Sequence, residues 1–357
     1  MSNTAQLTRM VRLKSALPNL PDQALFHAGP PYKGSPPEAV LNAAAQAAVM
    51  EGWAADTQTA RNLLQQDRAS GITLLPAQDY GVVVPLAQVA GPSTWCVEVG
   101  NEALKVYSPV SEGPAPALRF GSTDPVCRDR AMNDCKTFAE HINPLLAKTP
   151  IYPEQLMQQA LQLGDDGHAI VGAGTKLWVD ALTELPADIR EKILTNAGFA
   201  LTTWMAYCSW KLRTSSCPII AIGANGIEFG LKFKNAKAWA TVDAPPPSGP
   251  RFNPDHTAQA LGAVGDSAVV DACGYGGQAL KHAPPLLAEW KDYLPADALT
   301  RPGRIINPEN GCIDPARIQA ERVAPIINLA ILDSLGANTP IGRGHYSPPL
   351  SVFQQPS

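Results

Sequence analysis

Apolar positions along the chain fall into short runs whose period changes several times, and the changes mark out the elements. Ala39, Val40, Leu41, Ala43, Ala44, Ala47, Ala48 and Val49 form an Ala-rich helical stretch, with Pro37 where a first-turn proline is tolerated and Gly52 where the helix closes. Asp56 stands as N-cap of a second helix through Leu63 and Leu64. Strand-type runs follow at Ile72 to Leu75, Gly81 to Pro85 and Trp95 to Val99, separated by Pro76 and Gly91-Pro92. Asp124-Pro125 then starts a helix expected to reach Ile142 and stop before Pro144, and another covers Pro153 to Leu163. A longer helix follows Pro186, with Ile189, Ile193 and Ala197 four residues apart.

From Cys217 the pattern turns to strands. Pro218 to Ile222, Ile227 to Phe233 and Ala238 to Val242 have β character, and Asn225-Gly226 between the first two is a hairpin signal. Ala244 to Pro254 holds five prolines and reads as a stiff loop. Ser267 to Cys273 reads as a buried strand, Gly274 to Gly277 as a glycine turn, and Gln278 to Trp290 as helix broken at Pro284-Pro285. Ile318 to Leu335 is apolar and expected to be buried. Helices and strands are grouped rather than regularly alternated, which predicts an α+β fold. At roughly 150 residues per domain, 357 residues argue for two mixed α+β domains with an extra piece. The expected division is a packing segment over 1–35, a small helical subdomain over 36–70, and α+β domains over 71–215 and 216–357.

Composition narrows the function classes. Hydrophobic content of 45% supplies enough apolar area to offset chain ordering, so global disorder is excluded. Charged residues are 17% of the chain, below the usual quarter, which points to a folded chain with extensive buried or subunit-facing surface. A net charge of −4 without a basic cluster argues against nucleic acid. The longest apolar run, Val323 to Leu332, is short and contains Pro325 and Asn328, so no membrane span is expected. Met1 to Leu20 has no continuous apolar core of the signal-peptide kind, and the seven cysteines lack C-x-x-C spacing. The expectation is a cytoplasmic protein with reduced thiols, no metal site and no resident cofactor.

The densest polar cluster is Gly164-Asp165-Asp166-Gly167-His168, where two carboxylates beside an imidazole offer a general base or a means of orienting a carbonyl; turn solvation is the bland alternative. Cys273-Gly274-Tyr275-Gly276-Gly277 has the look of a backbone cradle for phosphate, without the lysine of a P-loop. Asp266 and Ser267 lie before it, across the apolar run Ala268 to Ala272, and could bring a carboxylate and a hydroxyl to the same region. His27 sits before Gly29-Pro30-Pro31, and Asn225-Gly226-x-Glu228 presents an amide beside a carboxylate. Trp204, Tyr207 and Trp210 are spaced three apart and are expected to pack in a core or interface.

Taken in order, His27-Ala28-Gly29-Pro30-Pro31, Leu118-Arg119-Phe120-Gly121, Gly164-Asp165-Asp166-x-His168, Ala224-Asn225-Gly226-x-Glu228-Phe229-Gly230, Gly265-Asp266-Ser267-Ala268 and Gly274-x-Gly276-Gly277 resemble the YlbE/AllG-like family. The resemblance spans about Ala24 to about Leu350. That family, long a domain of unknown function, includes the large subunit of a bacterial oxamate carbamoyltransferase. The resemblance implies a carbamoyl or related acyl transferase subunit acting on a small amide such as oxamate, with carbamoyl phosphate as co-substrate and an FdrA-like partner among other subunits. A homo-oligomer is the alternative assembly.

On that scheme Asp165, Asp166, His168 and Asn225 act at the reacting centre. His27, Gly29, Glu228, Asp266, Ser267, Gly274, Gly276 and Gly277 hold substrate or phosphate. The sequence departs from the family pattern after His168, where Ala169-Ile170-Val171 stands in place of Asn and Arg, and after His27, where the loop is short; the acceptor amide is therefore left open. An amide or lactam hydrolase and a non-catalytic scaffold or ligand-binding subunit are the competing readings.

Overall fold

The computed structural model describes residues 4–65, 71–336 and 339–355; the subdomain boundary expected at residue 70 lies outside them. The architecture is mixed α+β, with helices around several small sheets. Gln6–Arg12, Trp95–Gly100 and Lys105–Pro109 form an antiparallel sheet with Trp95–Gly100 in the middle. Ala24–His27 pairs in parallel with Thr73–Pro76 and antiparallel with Val89–Ala90. The third sheet runs Val264–Gly265, Ile219–Asn225, Glu228–Phe233, Ala240–Asp243, and Ile327–Ile331 pairs antiparallel with Gly342–Tyr346.

The Asn225-Gly226 hairpin forms as its turn chemistry demands. Gly226 sits at φ +90, where a side chain is strained, and the Asn225 side chain accepts from the Ile227 and Glu228 N–H groups. Glu38–Met50 and Thr57–Gln65 are the expected helix pair, with Gly52 at φ +74 after the first and Asp56 accepting from Thr59 N at 2.7 Å before the second. Leu201–Thr214 is the central helix. It packs on Trp95–Gly100, Lys105–Pro109, Ile219–Asn225 and Ala268–Ala272, and buries Trp204, Tyr207 and Trp210 as their spacing suggested.

Several elements differ from expectation, each for a local reason. Ser267 to Cys273 is no strand: Ala268–Ala272 is a short helix buried on every side, so its sequence carries no amphipathic period to betray it. The helix predicted to stop before Pro144 continues through it to Leu146, the proline falling in the last turn, where little of the helix remains to be broken. The helix after Pro186 is shorter than expected, Ala187–Leu194. Gly81 to Pro85 is not a strand; Val82 makes one isolated bridge to Tyr107. Gln6–Arg12 and Ala24–His27 are strands that the early segment did not announce. Gln278 begins in 3-10 turns, and the regular helix is confined to Pro284–Trp290. No helix among the described residues is long and apolar enough to cross a membrane.

Candidate functional site

The turn after Pro153–Gln162 sets Asp165 and Asp166 side by side, but each is fully engaged. Asp165 accepts from Ala173 N at 3.1 Å and Gly174 N at 2.6 Å, which caps the helix Gly172–Asp180. Asp166 accepts from His168 N, Ala169 N and Ile170 N, and from Asn328 Nδ2 at 2.6 Å. The carboxylate that meets the imidazole is instead Asp271: His168 Nδ1 lies 2.7 Å from Asp271 Oδ2. Asp271 Oδ1 accepts from Gly277 N at 2.7 Å and Asn328 N at 3.1 Å.

Burial pulls the His168 pKa down, but the charge and hydrogen bond of Asp271, with Asp166 adding, outweigh it and hold the ring above its ordinary value. An imidazole whose Nδ1 is fixed by a buried carboxylate has a set orientation and tautomer, which leaves Nε2 to act. His168 lines a cavity of about 230 Å³, below the roughly 300–1,000 Å³ of drug-sized pockets and suited to small metabolites. Ser267, Ser111, Arg119 and Arg343 line it too, among apolar residues that include Leu86, Leu201 and Leu329. Ser267 Oγ is buried without a hydrogen-bond partner. Arg119 Nη1 donates to Gly113 O at 2.9 Å and Ser111 Oγ at 3.3 Å, and stands 3.6 Å from buried Glu112. Arg343 is paired with Glu289 through Nε, 2.8 Å, and Nη2.

The glycine turn is closed by its own neighbours. Gly276 N donates to Asp166 O at 2.7 Å and Gly277 N to Asp271, so these two N–H groups position the aspartates rather than face open space. Gly276 has φ +56, and a Cβ there would stand 2.3 Å from Asp271 Oδ1. Gly274, at φ +86, faces Gly311 O instead.

His27, Gly29, Asn225 and Asp266 form a second group behind the cavity wall. Asp266 accepts from Gly29 N at 2.8 Å, Gln78 Nε2 at 2.7 Å and Val84 N at 2.9 Å. Burial pushes its carboxyl up to about 7 against the opposing pull of these donors and Arg213. His27 is buried and driven down to about 4 chiefly by desolvation, with Nδ1 on Ala28 O at 2.8 Å and its ring centroid 4.4 Å from that of Tyr32. Asn225 spends its amide on Pro30 O, and Glu228 pairs with Lys33 and Thr241 at a half-exposed edge. The structure thus brings His168 and Ser267 to the cavity wall, sets Gly276 and Gly277 against Asp166 and Asp271 behind it, and leaves Asn225, Glu228 and His27 out of that wall.

Asp271, Asn328, Arg119 and Arg343 were missed as site residues. The one signal for Asp271 is a lone carboxylate in an apolar run, a residue rarely buried unless it is paired. Asn328 likewise interrupts the longest apolar stretch of the chain.

Comparison with known proteins adds a family to the fold. A family model described as oxamate carbamoyltransferase subunit AllG matches residues 72–267, a span that holds His168, Arg119 and Ser267. The chain is 27% identical to the uncharacterized protein YahG of Escherichia coli (strain K12), over 96% of this chain and 79% of that one. It is 25% identical to oxamate carbamoyltransferase subunit AllG of the same organism, over 93% of this chain and 88% of that one. A crystal structure of a conserved protein of unknown function from Enterococcus faecalis V583 superposes with a TM-score of 0.84 at 25% identity, covering 98% of this chain and 92% of that chain.

Proposed function

The chain belongs to the family of oxamate carbamoyltransferase subunit AllG, and from that premise we propose that it is a carbamoyltransferase-type subunit, moving a carbamoyl group between carbamoyl phosphate and a small amide such as oxamate. The observation that carries the reading is the small cavity onto which Asp271-held His168, the unpartnered Ser267 and two arginines converge.

Carbamoyl transfer joins an anionic donor to a weakly nucleophilic amide. It needs cationic donors for the phosphate or carboxylate oxygens, a group to take and return a proton, and close alignment of the reactants. Arg119 and Arg343 supply the cationic donors. Arg119 is held for the purpose by Ser111, Gly113 and Glu112. His168 Nε2 takes the proton, since Asp271 fixes the tautomer that leaves it unprotonated and stabilises the charged ring afterwards. Asp165 and Asp166 serve by shaping the turn, as their saturated hydrogen bonds suggest. Apolar residues around the polar groups exclude water that would otherwise hydrolyse the donor.

FdrA-like and other partner subunits complete the enzyme on this reading, in keeping with the low proportion of charged residues in the chain. The test is phosphate release from carbamoyl phosphate by the chain together with its co-encoded partners. Release that depends on oxamate or a related amide is expected; none with any small amide would sink the reading. An amide hydrolase would instead consume the amide without carbamoyl phosphate.

A further inference from the structure

We propose that Ser267 Oγ is the nucleophile that carries the carbamoyl group as a covalent ester between donor and acceptor. The inference rests on the transferase reading above and adds a step that reading does not require. Three observations lead to it.

Ser267 Oγ is buried and has no hydrogen-bond partner. A hydroxyl in that state is costly unless something outside the protein completes it. Ser267 also lines the cavity that His168 lines, which makes the cavity's occupant the partner this hydroxyl would meet. Finally, Ser267 immediately precedes the helix Ala268–Ala272, and Asp271 lies four residues on. That spacing places the hydroxyl and the carboxylate one above the other on a single helical face. One turn of helix therefore carries both the hydroxyl and the group that orients the imidazole, with His168 reaching across from the Asp165-Asp166 turn. The residues have the roles of a nucleophile, a base and an orienter; the imidazole–carboxylate contact is made, and the serine–imidazole contact is still unmade, one that a bound reactant would draw together.

The steps balance. Ser267 Oγ bonds to the carbamoyl carbon while the carbon–oxygen bond to phosphate breaks, and the phosphate leaves with the electron pair. The Ser267 proton passes to His168 Nε2 and on to the departing phosphate oxygen. In the second half the acceptor's amide nitrogen bonds to the carbamoyl carbon and the bond to Oγ breaks. The proton lost by nitrogen travels through His168 Nε2 back to Oγ, which restores both side chains. His168 is neutral at the start and end of each half.

The experiment mixes the complex of the full chain and its partner subunits with carbamoyl phosphate alone, quenches it, and digests it for mass spectrometry while phosphate release is followed. A phosphate burst stoichiometric with this chain, and one carbamoyl mass on the Ser267 peptide that oxamate then clears, are expected. Ser267→Ala should lose burst and adduct together, whereas Ser267→Cys, which keeps a nucleophile in place, should regain an adduct at residue 267. Turnover with oxamate but no modified peptide, or turnover at full rate in Ser267→Ala, overturns the covalent step and leaves the transferase reading standing. Absence of any carbamoyl phosphate consumption, with every amide and in the unsubstituted complex, removes the transferase reading and the covalent step with it.

Discussion

His168 Nδ1 and Asp271 Oδ2 meet at 2.7 Å with both side chains shut off from solvent. The contact joins a turn that is conspicuous in sequence to a helix that is not. Asp271→Asn keeps the shape but allows the amide to favour the opposite imidazole tautomer. Turnover should fall about a hundred- to ten-thousand-fold, the range of positioned acid–base catalysis, with little change in KM. Steady-state kinetics of the complex would check this, and an unchanged kcat would remove His168 from the chemistry.

The same contact fixes a pH dependence of rate. His168 acts as a base when neutral, and Asp271, with Asp166 adding, holds its pKa above the ordinary value near 6.5. Activity should therefore rise with pH through a value above 6.5, and in Asp271→Asn that limb should move toward acid. A pH–rate profile of kcat/KM reads both.

Stability should follow pH in the other direction. The Asp266 carboxyl is raised in the folded chain to about 7, so folding disfavours its ionised form; the loss begins near its unfolded pKa of about 4 and is complete above 7. Roughly three pKa units correspond to on the order of 4 kcal/mol. His168, also raised, contributes stability that is present below about 6.5 and lost as pH climbs through its folded pKa. His27, lowered to about 4, works oppositely and only on the acid side. Between about pH 4 and 6.5 the His27 gain offsets the Asp266 loss, so the unfolding midpoint is expected to drop from about pH 6.5 toward pH 8, and Asp266→Asn should let stability rise between pH 4 and 6.5, as urea titrations at several pH values would show.

Gly276→Ala places a methyl group 2.3 Å from Asp271 Oδ1 and 3.0 Å from His168 Cβ, at φ +56. Overpacking and the left-handed backbone together should cost about 1–4 kcal/mol. Activity should fall further than stability explains, because the methyl pushes on the dyad itself. Denaturant unfolding beside kinetics separates the two effects.

Arg119→Gln removes a cation held at 15% side-chain exposure. Losing one charge-assisted contact to a bound anion, about 1.5–3 kcal/mol, should raise KM for carbamoyl phosphate about ten- to a hundredfold. A compensating change in kcat alone would argue against a role in holding the donor.

What the sequence disclosed depended on whether local rules governed the position. Asn225-Gly226, Asp56 and Gly52 were legible because turn and cap chemistry acts within a few residues. Asp165 and Asp166 drew attention as a pair, yet Asp165 is spent on the start of the next helix at Ala173 and Gly174, and Asp166 on the N–H groups that follow it and on distant Asn328. Asp271 was hidden because Ala268, Val269, Val270 and Ala272 are all buried, and a helix wrapped in core on every side reads as a uniform apolar run. Arg119 and Arg343 lie 224 positions apart by number, and no spacing rule reaches across such a gap to place them in one wall.

That separation bears on how the protein comes into being. The cavity draws on Pro85 at one extreme and Arg343 at the other, and Arg343 lies in the strand Gly342–Tyr346 that zips onto Ile327–Ile331. During synthesis the binding wall is therefore incomplete until that strand has left the ribosome and paired, long after His168 and Ser267 have been made. A chain cut short before residue 343 would keep His168, Ser267 and Arg119 but lack Arg343 and the strand that carries it, so late termination of the message would leave the cavity open on one side.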